Sequence, residues 1–166
     1  MVMNALLIGR FQPFHYGHLH IIQTLCKTYT NVIIGVGSSQ YSHTADNPFS
    51  YEERREMITR SLTAAGIANY RVVAIPDLND PSRWVNHVLS YVNDFDVVIS
   101  NNPETCRLFT EQGYTVKRTT MYKREQYSGH EIRRRLASGG RWASLVPPPV
   151  ATIIREVHGQ DRLKTH

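Results

Sequence analysis

Short apolar runs alternate with longer amphipathic stretches along the chain. Asn4 to Gly9 (NALLIG) is too short for a helix and predicts a buried strand. His18 to Thr28 then carries Leu19, Ile22 and Cys26 at helical spacing, and Asn31 to Gly37 (NVIIGVG) predicts a second buried, β-branched strand. Ser50-Tyr51-Glu52-Glu53 is a capping box, which predicts a helix to about Ala65 with Met57, Ile58 and Leu62 inward and Gly66 as its stop. Arg71 to Ile75 predicts a third strand ended by Pro76. Arg83 to Val92 predicts a helix, Asp96 to Ser100 a fourth strand, Glu104 to Gln112 a helix and Tyr114 to Lys117 a fifth strand. Ser128-Gly129-His130-Glu131 is a second capping box, opening a helix to about Ser138 that Gly139-Gly140 closes. Pro147 to Pro149 begin a last helix toward His158, and the polar residues Gly159 to His166 predict a loose end.

Strict alternation of strand and helix predicts an α/β fold: a Rossmann-like, doubly wound, five-stranded parallel sheet with helices on both faces. The 166 residues suit one domain, 1–166. In such a sheet ligands bind at the carboxyl ends of the strands. Chemistry is therefore expected just after Gly9, Gly37, Pro76 and Ser100, and before the helix at Ser128.

Composition narrows the classes. The 41% hydrophobic content is that of an ordinary globular chain, without a run of about 18 apolar residues to span a membrane. The opening MVMNALLIGR has neither a basic n-region nor a long apolar h-region, so no signal peptide and a cytoplasmic location are expected. Cys26 and Cys106 lie far apart in no metal-binding pattern, and both are expected as buried thiols. The net charge of +5 admits either nucleic acid or small phosphorylated ligands as partners. Composition does not choose between these; the positions of the charges do.

The distinctive residues gather at strand ends and helix starts. The first turn reads Gly9-Arg10-Phe11-Gln12-Pro13-Phe14-His15-Tyr16-Gly17-His18. A helix N-terminus presents free N–H groups and partial positive charge to a phosphate. Gly9 and Gly17 let backbone approach a ligand, and Arg10 adds a fixed cation. His15 and His18, three apart, can share one side and donate to a phosphate that gains charge. They can also be read as a metal pair, though one without a third ligand nearby, or as structural residues.

His15-Tyr16-Gly17-His18 resembles the H-x-G-H signature of the nucleotidyltransferase superfamily. The longer string GRFQPFHYGH more closely resembles the archaeal-type nicotinamide mononucleotide adenylyltransferases. So do the segment from Gly37 to Thr44 with Asn47-Pro48-Phe49, the pair Trp84-Val85, and Tyr127-Ser128-Gly129-His130-Glu131-Ile132-Arg133-Arg134-Arg135. The resemblance runs from Ala5 to about Leu163. It implies transfer of the adenylyl group of ATP to nicotinamide mononucleotide, giving NAD and pyrophosphate. Mg²⁺ is expected on the ATP phosphates, without a dedicated protein metal site, since no cluster of carboxylates flanks either phosphate turn. A phosphate nucleophile needs no general base, so positioning and charge stabilisation suffice.

By the same resemblance, His15, His18 and Arg133 are expected to be catalytic. Gly9, Arg10, Phe11, Gly17, Asn102, Tyr127 and Ser128 are expected on ATP, although Asn102 reads equally as a helix cap. Ser38, Gln40, Asp77, Leu78 and Trp84 are expected on the nicotinamide nucleotide, with Trp84 stacked on its ring. Arg134 and Arg135 read as a solvated face. The chain departs from the pattern at His130, where a Thr is usual, and at Asp46, where some relatives carry an arginine. A homo-hexamer is implied, and the apolar residues spread around the predicted helix Arg83 to Val92 agree with some self-contact. Two alternatives stay open: a phosphopantetheine adenylyltransferase, and a basic nucleic-acid-binding domain without catalysis.

Overall fold

Five parallel strands form one sheet in the order β3-β2-β1-β4-β5 in a computed structural model, which describes residues 2–120, 123 and 126–163. The strands are β1 (Asn4–Gly9), β2 (Asn31–Val36), β3 (Tyr70–Ala74), β4 (Val97–Ile99) and β5 (Thr115–Lys117). The helices are α1 (Tyr16–Thr28), α2 (Tyr51–Ala64), α3 (Trp84–Leu89), α4 (Pro103–Glu111), α5 (Gly129–Ser138) and α6 (Pro148–Glu156). The chain moves outward from β1 to β3, then returns to place β4 on the other side of β1. The switch point therefore lies between β1 and β4, as the alternation predicts for a doubly wound sheet.

Side-chain alternation splits the core into two layers. Ala5, Val32, Ile34 and Val97 meet Ile22, Met57, Ile58, Leu62, Ile132 and Ile154 on the face covered by α1, α2, α5 and α6. Leu6, Ile33 and Val98 meet Val85, Val88 and Phe109 on the face of α3 and α4.

Four expectations are corrected. The predicted helix Arg83 to Val92 is only α3, preceded by a 3₁₀ turn at Pro81–Arg83. Val85, Val88 and Val92 are buried in the chain's own core, so little of its apolar excess faces outward beyond Tyr91. The box at Ser50 closes in both directions, but at α5 only Ser128 caps: Glu131 instead pairs with Arg134 and Arg135, one turn on, which hold its carboxyl down at about 2. Cys26 and Cys106 are half-buried rather than buried. The segment after α6 is not loose, since Gly159 is buried against Phe49 and Arg162 forks onto Glu53; residues 164–166 lie outside the described residues.

One charged residue ties the strand ends together. Arg54 of α2 is fully buried, and its guanidinium donates to four carbonyl oxygens: Ser50, Arg10, Gly37 and Ser38, at 2.8–3.2 Å. Burial first, and the nearby Arg10 second, lower its pKa to about 10, so it remains charged at neutral pH. Arg54→Met should strand these buried acceptors and destabilise the chain by about 3 kcal/mol or more. Urea midpoints test this, and a variant within about 1 kcal/mol of wild type would show that water replaces the guanidinium without cost.

Candidate active site

A cavity of about 300 Å³ opens beyond the carboxyl end of β1, between the turn into α1 and the start of α5. Arg10, Phe11, His15, Gly17 and His18 line it from the first turn; Tyr127, Ser128 and Arg133 line it from α5 and the residues before it. These are eight of the ten predicted phosphate and catalytic residues. Gly9 stands just behind them, its Cα so close to the Phe11 ring that a Cβ would lie 3.1 Å from it. His130, where the chain departs from the family pattern, also lines the cavity.

The two histidines are organised by the helix they begin. His15 is the N-cap of α1, and its Nδ1 accepts the His18 backbone N–H at 3.4 Å. His18 Nδ1 accepts the His15 backbone N–H at 3.1 Å. α1 thus starts at Tyr16, two residues before the predicted start, because imidazoles form a capping box usually made by Ser and Glu. The rings stack with centroids 3.6 Å apart, and His18 packs edge-on against Phe11 at 4.7 Å.

Accepting through Nδ1 leaves the proton of each neutral ring on Nε2. Burial and then the charge of Arg133 lower the His15 pKa to about 3; burial and then His15 lower that of His18 well below its ordinary value. Two neutral imidazoles, each with one N–H donor, therefore border the cavity at neutral pH. Gly17 makes this possible in a way the sequence did not disclose: a Cβ there would lie 2.9 Å from the His15 ring. The lack of a side chain at Gly17 thus makes room for an imidazole.

Arg133 is half-buried and donates to the Gln12 carbonyl at 2.8 Å, across 121 residues of sequence. Burial first, then Arg10, lower its pKa. Gln12 is buried, and its side chain grips the Phe49 backbone at both ends, Nε2 to O and Oε1 from N, each at 2.9 Å. Arg10 reaches the Asp46 carbonyl and Asn47 Oδ1, both at 3.3 Å. Asp46, where some relatives carry an arginine, thus offers Arg10 its backbone, and its negative charge acts on Arg133.

A second cavity of about 300 Å³ lies beyond β3 and β4, lined by Leu78, Asp80, Trp84, Asn102, Glu104 and Leu108, among others. Trp84 is half-buried there and tilts against His87, with centroids 5.7 Å apart. Asn102 caps α4 by accepting the Thr105 N–H at 3.0 Å, and it stands in this second cavity, apart from the other predicted ATP residues. Ser38, Gln40 and Asp77 line neither cavity but bond one another: Ser38 Oγ donates to Asp77 Oδ2 at 2.9 Å, and Gln40 exchanges two bonds with the Asp77 backbone. Gln12, Glu104 and Arg54 were not singled out from sequence. Gln12 lies within the string GRFQPFHYGH but its side chain carries no chemistry of its own there, Glu104 belongs to no motif, and Arg54 sits in a charged run, YEERRE, that gives no sign of burial. Among the described residues no group of three or more His, Cys, Asp or Glu gathers as a metal site, and no helix is long and apolar enough to cross a membrane.

Residues 6–135 match the family described as cytidylyltransferase-like. A nicotinamide-nucleotide adenylyltransferase of Thermoplasma volcanium is 46% identical over 161 residues, covering 97% of this chain and 90% of that protein. One of Methanolobus tindarius is 47% identical over 162 residues, covering 98% and 93%. Among solved structures, a bifunctional NMN adenylyltransferase/ADP ribose pyrophosphatase from Francisella tularensis, complexed with AMP and manganese, superposes with a TM-score of 0.78 at 24% identity. The chain is covered to 98% and spans 52% of that protein, a likeness of fold.

The depressed histidines set a pH dependence of stability. An unfolded histidine takes a proton near its ordinary value of 6.5, whereas folded His15 takes one only near 3. Between those values the unfolded chain binds more protons, so stability is full above 6.5 and falls as the pH drops toward 3. His15→Asn keeps a capping side chain and removes one such group. Its urea midpoint should fall less than that of wild type between about pH 7 and about pH 4.5. Equal acid slopes in the two proteins would clear His15 as the source.

Proposed function

The chain belongs to the nicotinamide-nucleotide adenylyltransferases of the cytidylyltransferase-like family, and on that premise we propose that it transfers AMP from ATP to nicotinamide mononucleotide. The mononucleotide's 5′-phosphate oxygen forms the new bond to the α-phosphorus. The bond from that phosphorus to the bridging oxygen of the β-phosphate breaks in line, and pyrophosphate leaves with its electrons. NAD is the other product.

The observation that carries this reading is the pair of neutral, Nε2–H-bearing imidazoles in one cavity with Arg10, Arg133 and the N-terminus of α5. Such a set binds and stabilises phosphate charge and contains no activated nucleophile. The attacking phosphate is already anionic, so fixed donors that meet the growing charge on the α-phosphate supply the catalysis. Ser128 and the free N–H groups of α5 suit the β- and γ-phosphates. Mg²⁺ enters as part of the ATP substrate, held by phosphate oxygens and water. The cavity beside Trp84 suits the nicotinamide ring, whose cationic face stacks on indole. By the same resemblance the proposal assigns Ser38, Gln40 and Asp77, which line neither cavity, to the mononucleotide, and extends to a hexamer in the cytoplasm.

The test is to incubate the purified protein with ATP, Mg²⁺ and either nicotinamide or nicotinic acid mononucleotide, then separate the dinucleotide and pyrophosphate. His18→Ala should lower kcat by about 10²-fold or more with a smaller loss of ATP affinity, because a preorganised donor acts most in the transition state. Near wild-type turnover would remove His18 from the chemistry. Trp84→Ala should raise the KM for the mononucleotide while leaving that for ATP nearly unchanged. An equal rise in both constants, or an unfolded protein, would make Trp84 a core residue.

A further inference from the structure

The first cavity has a support that reaches it from the far end of the chain. Arg162 is nearly buried, its side chain 14% exposed. Its Nη1 donates to Glu53 Oε1 at 2.7 Å and to the Pro48 carbonyl at 2.9 Å, and its Nη2 donates to Glu53 Oε2 at 2.9 Å. Glu53 is also the capping residue of α2, accepting the Ser50 N–H at 2.8 Å. One guanidinium thus fastens both the strap 46–49 and the helix that follows it. Gly159 closes the same joint: its backbone lies so close over the fully buried Phe49 ring that a Cβ would come within 2.8 Å.

On its other side the strap holds residues that line the cavity. Asp46 O and Asn47 Oδ1 hold the Arg10 guanidinium, and Phe49 is gripped by Gln12, whose carbonyl in turn receives Arg133. Arg162 itself lines neither cavity. We infer that the segment 159–163 is a strut for the ATP cavity, with Arg162 a positioning residue that sets the Arg10 guanidinium through the strap 46–49. The inference rests on the reading of this cavity as the ATP site. A bidentate, nearly buried guanidinium–carboxylate pair has the geometric stiffness that such a role needs, which an exposed pair lacks.

A residue that merely anchored the tail would change stability without selecting one substrate. The test is a double-mutant cycle on Arg162→Ala and Arg10→Ala, read by calorimetric titration with ATP and Mg²⁺ and by the KM of each substrate. Arg162→Ala should weaken ATP about fivefold or more, leave the mononucleotide KM within about twofold, and cost nothing further in the Arg10→Ala background. Arg162→Lys, which keeps the charge but not the fork, should fall between. Losses that simply add, an equal loss for both substrates, or unchanged ATP affinity would overturn the strut. Should Arg162→Ala fail to fold, Glu53→Gln weakens the same joint and enters the same cycle with the same criteria. A wild-type protein that binds ATP without forming a dinucleotide would overturn the proposed reaction and leave the strut standing; one that binds no ATP would overturn both.

Discussion

The carbonyl oxygens at the carboxyl ends of β1 and β2 need donors, and one buried guanidinium supplies them. Arg54 takes Arg10 O from the loop after β1, Gly37 O and Ser38 O from the loop after β2, and Ser50 O from the start of its own helix. A parallel sheet leaves its strand ends without partners, and loops that leave them carry unpaired polar groups into a crowded place. Because the acceptors belong to three segments, satisfying them in one step also fixes the segments relative to each other. Arg10 and Ser38, expected on different substrates, are registered by the same side chain. The remaining joints build outward from this one: Gln12 on Phe49, Arg133 on Gln12, and Ser38 on Asp77.

The site and the fold share atoms. His15 and His18 cap α1 with the nitrogens that do not face a ligand, and this fixes which nitrogen carries the proton. Ser128 caps α5 while lining the cavity, and Arg133 braces Gln12 while presenting its charge to the same space. Residues with two tasks hold their geometry before a substrate arrives, which is the condition under which fixed donors act most strongly.

How much of this was legible depends on the range of the interaction. Strands showed through apolar period and helix starts through capping chemistry, because those signals are local; β1, α2 and α5 begin where their residues predict. The cavity residues from Arg10 to His18 and at Ser128 were legible because one turn and one helix start hold them all. Arg54 and Arg162 were not: each looks like an ordinary surface cation in its own sequence window, and only partners 16, 44 or 109 residues away make it structural. The tail at Gly159 was misread for that reason. At α5 the expected box failed through local competition, since two arginines one turn ahead attract Glu131 more strongly than a single backbone N–H. Asn102 resolved toward its cap, with a place in the second cavity.

Positive charge at the first cavity is only partly balanced by the protein itself. After burial, Arg10 is the next cause that lowers the pKa of both Arg54 and Arg133, so it repels each of them across the loops they hold. Carbonyl dipoles, and the more distant charge of Asp46, offset part of that repulsion. The histidines add none, because burial keeps them neutral; protonated rings stacked at 3.6 Å would worsen it. What remains is a cavity with fixed positive charge, neutral donors and a helix N-terminus. On the proposed reading a polyphosphate brings the missing negative charge, which would couple folding stability and anion binding through the same guanidinium groups. The +5 excess of the whole chain is in this sense partly local: Arg10 and Arg133 line the cavity, while Arg134, Arg135 and Arg162 are engaged with carboxylates.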